Sequence, residues 1–335
     1  MKIGIAGGTG LLGSSAAKVM IEHGHEVHAL TLPFIKGSLD IPTQMILHTC
    51  DFNQISNTEL DQFMQGLDAF VFAAGVDERM EFEYPVYDAY LKYNINPVRR
   101  MLSSAKKMGV KKAIILGSYF SHFAKIWPKL RLKENHPYIR SRLEQENVAF
   151  SLASPSFEVV VLELPYIFGA QQGRKPVWSI FIERFDKPKV IFFPKGGTAM
   201  VTLKQVGVAI YHAILYGKNQ KAYPLGYVNM TWRKLIKHVL KGMDQNKPII
   251  TIPYLLANLG IKSMQKSYDK KGIEPGLNPN TFAKLMTRKT YIDPSQSKDL
   301  LLPPDDIEEA IYDSISYAYQ IYKDNLEVND MKASL

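Results

Sequence analysis

The stretch "KIGIAGGTGLLGSSAAKVMIEHG", residues 2–24, decides the fold. It opens on the short apolar run "KIGIAG", which reads as a buried strand, and turns through Gly7, Gly10 and Gly13 in G-x-x-G-x-x-G spacing. It continues as a helix-period stretch over 11–24 that Gly24 ends. The physical demand of that order is specific. The chain must turn sharply, let its backbone approach a pyrophosphate, and start a helix tightly against the sheet. The free N–H groups of the first helical turn then hold the phosphates. Glycines placed between a strand and a helix therefore predict dinucleotide binding at Gly7, Thr9, Gly10, Leu11, Leu12 and Gly13. A structural turn that has lost its ligand is the alternative.

Outward from that unit the rhythm repeats. "EVHALTL" (26–32) and "QMILHTC" (44–50) read as strands, "ELDQFMQGL" (59–67) as a helix, and "AFVFAAG" (69–75) as a strand closing on glycine. "PVRRMLSSAKKMG" (97–109) is a helix stopped by Gly109, followed by the strand "KAIILGS" (112–118). Continuous apolar strands separated by helix-period segments predict an α/β fold with a doubly wound parallel sheet. "FEVVVLELPYIFG" (157–169) looks like another central strand. Beyond it the pattern loosens into Pro, Gly and aromatic residues up to about residue 200. Helices follow at 203–215, at 231–243 with Thr231 as N-cap, and at 305–325 with acids in its first turn. The expected organisation is a dinucleotide-binding domain over 1–165 and a smaller α/β region over 166–330, mostly substrate-binding. Helix 203–216 returns to the first domain, and 331–335 form a tail.

The bulk numbers narrow the class. At 335 residues, 46% hydrophobic and 22% charged, the chain can build a large core. Cys50 is the single cysteine, so no internal disulfide framework exists and a reducing, cytoplasmic setting is expected. The apolar runs are too short to span a bilayer, and glycines interrupt the start where a signal peptide would need its apolar core. No membrane is expected as a partner. The net charge of +9 is spread over "KKMGVKK", "KLRLK" and "KKG", without interleaved aromatics. That argues against nucleic acid and for a solvated basic surface, or attraction for a small anion such as a phosphorylated cofactor.

The choice of dinucleotide turns on the end of the second strand. An acid there, about 20 residues past the glycines, would bind a ribose 2′-hydroxyl. Thr31 holds that place, with Lys36 the nearest cation and no acid nearby. Missing the acid removes repulsion against a 2′-phosphate, so NADP is favoured, with NAD as the alternative. Asp51 and the neighbouring Phe52 are candidates for the adenine, although Asp51 serves equally well as a turn cap.

These features, with "FAAG" (72–75), "YNINPVRRMLSSAKKMGVKKAIILGS" (93–118), "YIRSR" (138–142), "LPYIFG" (164–169) and "VTLKQVGVAI" (201–210), resemble the extended short-chain dehydrogenase/reductase family. That family includes sugar-nucleotide epimerases, dehydratases and dihydroflavonol-reductase-like enzymes on a Rossmann fold. The resemblance runs nearly the length of the chain, in the family's order. It implies a catalytic group of Ser118, Tyr138 and a basic residue four positions after the tyrosine. It also implies cofactor contacts at Ala73, Ala74 and Gly75, and at Pro165 and Ile167 against the nicotinamide. Apolar packing alone explains "LPYIFG" equally well. Asn94 matches the family's asparagine that props neighbouring backbone or a water. No metal is expected, and a homodimer through helices flanking the sheet is common in such proteins.

The residues support the catalytic pair on their own terms, because positions i and i+4 share one helical face. A phenol, ordinarily near 10, needs a cation and an oxidised nicotinamide close by before it acts as a base. The family places a lysine where this chain has Arg142. Arginine keeps the charge and can bond ribose hydroxyls, yet it cannot join a proton relay. The expectation is an NAD(P)-dependent oxidoreductase in which Arg142→Lys retains or raises activity. The alternatives are a nucleotide-sugar epimerase or dehydratase that recycles its cofactor, and a weakly catalytic NAD(P)-binding regulator. Tyr84, Tyr87, Tyr90 and Tyr93 form a stripe better suited to helix packing than to a pocket wall. Arg174 is either an anion-binding residue or an ordinary loop arginine.

Overall fold

The computed structural model describes residues 1–33, 39–51 and 53–330. Strand β1 (Lys2–Ala6) feeds helix α1 (Leu11–Glu22), and β2 (Glu26–Thr31), β3 (Ile46–Thr49), α2 (Asn57–Met64) and β4 (Ala69–Phe72) follow. The helix Asn96–Lys107 and the strands Lys112–Ser118 and Glu158–Leu164 extend the pattern. From edge to edge the central sheet runs Lys221–Pro224, Glu158–Leu164, Lys112–Ser118, β4, β1, β2, β3, seven strands in all. Each neighbouring pair is parallel. The order reverses beside β1, and ligands of such sheets bind at the carboxyl ends of the strands near that point.

Helices cover both faces. Ile3, Ile5, Val71, Ile114 and Leu162 pack with α1 and the helix Leu203–Tyr216 on one side. Phe70, Phe72, Ile115, Val159 and Val161 pack with Met101, Leu102 and Ala149 on the other. A further core, around Trp178, Ile182, Trp232, Leu235, Ile311 and Ile315, lies beyond the sheet. Thr231 caps its helix as expected, accepting the Lys234 N–H. Among the described residues no helix is long and apolar enough to cross a membrane.

One sequence expectation needs correction. "FEVVVLELPYIFG" is two strands in different sheets. Glu158–Leu164 belongs to the central sheet, whereas Tyr166–Phe168 pairs with Gly197–Thr202. Pro165 lies at the break because it has no N–H to offer a ladder. Lys221–Pro224, unassigned from sequence, is the edge strand of the central sheet; its lysine and proline suit an edge, where one side of the backbone needs no partner.

A buried ion cluster ties the site-bearing helices to the sheet. Lys125 ends the helix Tyr119–Ile126 and reaches Glu146 on helix Pro137–Leu152 and Glu163 on the strand, both at 2.9 Å. Burial pushes the Glu163 carboxyl up to about 7 against the pull of Lys125, and Glu146 adds to the rise. The folded value lies above the ordinary 4.5, so folded protein keeps a proton that the unfolded chain releases. Stability from this group is full below about pH 4.5 and lost as pH rises towards 7, a swing of about 3 kcal/mol. Glu163→Gln should therefore gain several degrees in Tm on the wild type between about pH 5 and pH 8. Melting curves that stay parallel across that range would contradict this.

Candidate active site

The glycine loop sits at the carboxyl end of β1. Gly7 has φ +81°, and a Cβ there would lie 2.8 Å from the Ala73 carbonyl oxygen. A Cβ on Gly13 would lie 2.3 Å from the Gly7 carbonyl oxygen, so α1 packs on the loop only because Gly13 lacks one. Gly10 is the N-cap of α1 in extended conformation, and no side chain caps that end. The first-turn amides of Leu11, Leu12 and Gly13 are thus left for an anion, aided by the helix dipole. This cradle fits a dinucleotide pyrophosphate. Ala73 and Ala74 form its opposite wall, and the Ala73 N–H donates to the Ala6 carbonyl at 2.9 Å.

Thr31 departs from expectation. It is buried, and its hydroxyl lies 2.5 Å from that of Thr9 while donating to the Leu32 carbonyl at 3.1 Å. Its hydroxyl is thus engaged within the protein at the end of β2. Asp51 acts as a turn cap, accepting the Asn53 N–H at 2.9 Å. Lys36 and Phe52 lie outside the described residues.

At the same carboxyl edge of the sheet, Ser118 ends its strand and caps the next helix, its Oγ accepting the Phe120 N–H at 3.4 Å. The Phe120 ring packs edge-on against Tyr138 at 6.4 Å between centroids, and Tyr90 does so at 5.7 Å. Tyr138 is 4% exposed and Arg142 8%. The Arg142 Nε–H donates to the Tyr138 hydroxyl at 3.1 Å. Its fork also donates to the Gln145 side-chain oxygen at 2.9 Å and the Val76 carbonyl at 3.3 Å. Asn94 closes the network. Its amide exchanges hydrogen bonds with the Val76 N–H and carbonyl at 2.8 and 3.0 Å, and its own carbonyl accepts from Gln145. Asn94 lies in the π-helical turn Leu91–Ile95, an irregularity frequent at functional sites.

Burial raises the Tyr138 phenol above its ordinary value, and Arg142 opposes this without overcoming it. The carboxylates of Glu78 and Asp77 add to the rise. Glu78 escaped the sequence reading. Asp77 takes up Arg79, which leaves the Glu78 carboxyl without an ion pair among the described residues. Burial first, then Asp77, raises it. Its charge is one of the influences that raise Tyr138, Tyr90, Tyr119 and Tyr166. The available signal was its position just past "FAAG", in the segment assigned to specificity.

The tyrosine stripe does not share one face. Tyr84 precedes the helical turns and is 76% exposed, Tyr87 lies under Arg140, and Tyr93 stacks on Phe82. Tyr90 alone of the four is fully buried, and its hydroxyl has no hydrogen-bond partner among the described residues. Pro165 is buried, the Ile167 carbonyl accepts the Trp178 indole N–H at 2.6 Å, and Tyr166 stacks on Trp178. These residues reach the site through Tyr119, whose ring meets that of Tyr166.

Comparison with known proteins bears on the family and the fold. Residues 3–207 match the sequence model of the NAD dependent epimerase/dehydratase family. A curated protein of Synechocystis sp. described as "Putative dihydroflavonol 4-reductase" is 20% identical, with 93% of each chain covered. Among solved structures, a nucleoside-diphosphate-sugar epimerase from Pseudomonas aeruginosa superposes with TM-score 0.70 at 14% identity, covering 98% of this chain and 99% of that one. The UDP-glucuronic acid 4-epimerase from Bacillus cereus, solved with UDP-glucuronic acid and NAD, gives 0.67 at 15% identity, covering 96% and 100%. At such identities these structures show the fold.

Proposed function

The chain is an enzyme of the NAD dependent epimerase/dehydratase family. From that premise we propose an oxidoreductase that moves hydride between nicotinamide and a carbonyl or hydroxyl carbon of a small molecule, with Tyr138 as acid/base. The observation that carries the reading is the buried hydrogen bond from Arg142 to the Tyr138 hydroxyl, in a chain whose uncapped glycine loop stands at the carboxyl edge of the sheet. The nicotinamide, when bound, supplies or accepts the hydride. Ser118 is assigned to the substrate oxygen through its free hydroxyl proton. Tyr138 holds its own proton in the resting protein because burial disfavours the phenolate. It is therefore ready to protonate a carbonyl oxygen. In the reverse direction Arg142 stabilises the phenolate that takes the alcohol proton.

We assign NADP(H) as the preferred cofactor. Support comes from the lack of an acid at the end of β2 and from the basic balance of the chain. Titration should give a lower Kd for NADPH than for NADH, and a clear preference for NADH would refute the assignment. Glu78 favours one second reading, because dehydration or epimerisation can use a further acid/base group and its buried carboxyl acts electrostatically on Tyr138. A carbonyl substrate whose turnover consumes NADPH supports the first reading. Product formed without net cofactor change supports the second.

A further inference from the structure

Arg174, which the mechanism above does not use, sits in an unusual place. Its Nη2 donates to the Thr9 carbonyl at 2.9 Å, and its Nε donates to the Gln171 side-chain oxygen at 2.8 Å. Gln171 is buried and donates in turn to the Thr9 and Asp40 carbonyls at 3.2 and 3.0 Å. The Asp40 N–H returns a bond to the Gln172 carbonyl at 3.1 Å. One short segment thus grips both the glycine loop and the chain between β2 and β3. The end of the chain backs it. Asn329 donates to the Gly173 carbonyl from its N–H at 2.9 Å and accepts the Lys175 N–H at 3.0 Å, and Tyr317 receives the Gly173 N–H.

The electrostatics of this arrangement are unbalanced. Arg174 forms no salt bridge among the described residues, and its two bonds go to neutral oxygens. Burial draws its pKa below the usual guanidinium value, with Asp330 the opposing influence. It lies next to Thr9, one residue before the uncapped, positive end of α1. A half-buried cation against the positive pole of a helix is unfavourable by itself. An anion held between them relieves both charges and takes the remaining N–H groups of the fork.

Resting on the dinucleotide reading above, we infer that Arg174 is a phosphate ligand of the bound dinucleotide, brought over the glycine loop from the region that follows the sheet. A guanidinium suits this role because its fork can hold Thr9 and a phosphate oxygen together, which the single ammonium of lysine cannot.

Calorimetric titration of the full chain with NADP+, NAD+ and ADP tests this. Arg174→Gln, which keeps most of the side-chain volume, should weaken binding by about 10- to 100-fold with Tm nearly unchanged. Equal weakening for all three nucleotides assigns the contact to the pyrophosphate, and weakening for NADP+ alone assigns it to the 2′-phosphate. Arg174→Lys should fall between the wild type and Arg174→Gln, which keeps the test open if the Gln variant folds poorly. Affinities equal to the wild type for all three nucleotides in both variants would overturn the inference. A wild-type protein that binds none of them would refute the dinucleotide reading itself, and the inference with it.

Discussion

Tyr138→Phe should reduce kcat on an identified carbonyl or alcohol substrate by about 10²- to 10⁴-fold, while the Kd for the dinucleotide stays within about threefold. The ring stays packed because its neighbours Tyr90 and Phe120 contact its edges and faces, which Phe retains. What is lost is the hydroxyl that carries the proton and receives the Arg142 Nε–H. That buried donor is then unpaired, at a stability cost of about 1–3 kcal/mol. Activity that survives the change intact would move the acid/base role elsewhere, with the unpaired groups of Glu78 and Tyr90 next in line.

Arg142→Met should be nearly as damaging, and for two separable reasons. The first is electrostatic. Arg142 is the main influence holding the Tyr138 phenol down against burial, so its loss lets the phenol rise further. Alcohol oxidation, which needs the phenolate, should fall by about 10²-fold or more near neutral pH, and its pH profile should shift to the alkaline side. The second reason is structural, since the fork joins Tyr138, Gln145 and the Val76 carbonyl. Removing it leaves buried acceptors unpaired and should cost about 3 kcal/mol in chemical denaturation. Arg142→Lys separates the two effects. From sequence alone a lysine is expected to serve as well or better, but one ammonium cannot reach three directions held by a planar fork. The lysine variant should keep the wild-type pH profile and lose about 1–3 kcal/mol of stability. Identical pH profiles in all three proteins would show that the guanidinium does not act on the phenol.

The parts of this molecule that were legible in its sequence are those where one local rule dictates one outcome. The glycine spacing of "GGTGLLG" fixed the β1–α1 turn because no side chain fits at Gly13. The four-residue step from Tyr138 to Arg142 placed both on one helical face, and the structure joins them by a hydrogen bond. Asn94 came from the family resemblance, as an asparagine that props neighbouring backbone, and it bonds the Val76 backbone. The rest depended on neighbours distant in sequence. Thr31 looked available until Thr9 took its hydroxyl. Tyr84 to Tyr93 read as one stripe because a regular helix was assumed, whereas helical turns start only at Val86 and turn π-helical at Leu91. Glu78 and Arg174 lie in loops without periodicity, so only the tertiary structure shows that the first acts electrostatically on Tyr138 and that the second bonds the phosphate loop. The strand Lys221–Pro224 is too short and too polar to announce itself.

The central claim is that Tyr138 exchanges a proton with a substrate beside a bound nicotinamide. A crystal structure with the nicotinamide dinucleotide bound tests it most directly. The account predicts the pyrophosphate on the amides of Leu11 to Gly13, and the nicotinamide ring facing the hydroxyls of Tyr138 and Ser118. A ring directed elsewhere, or its place occupied by protein side chains, would contradict it.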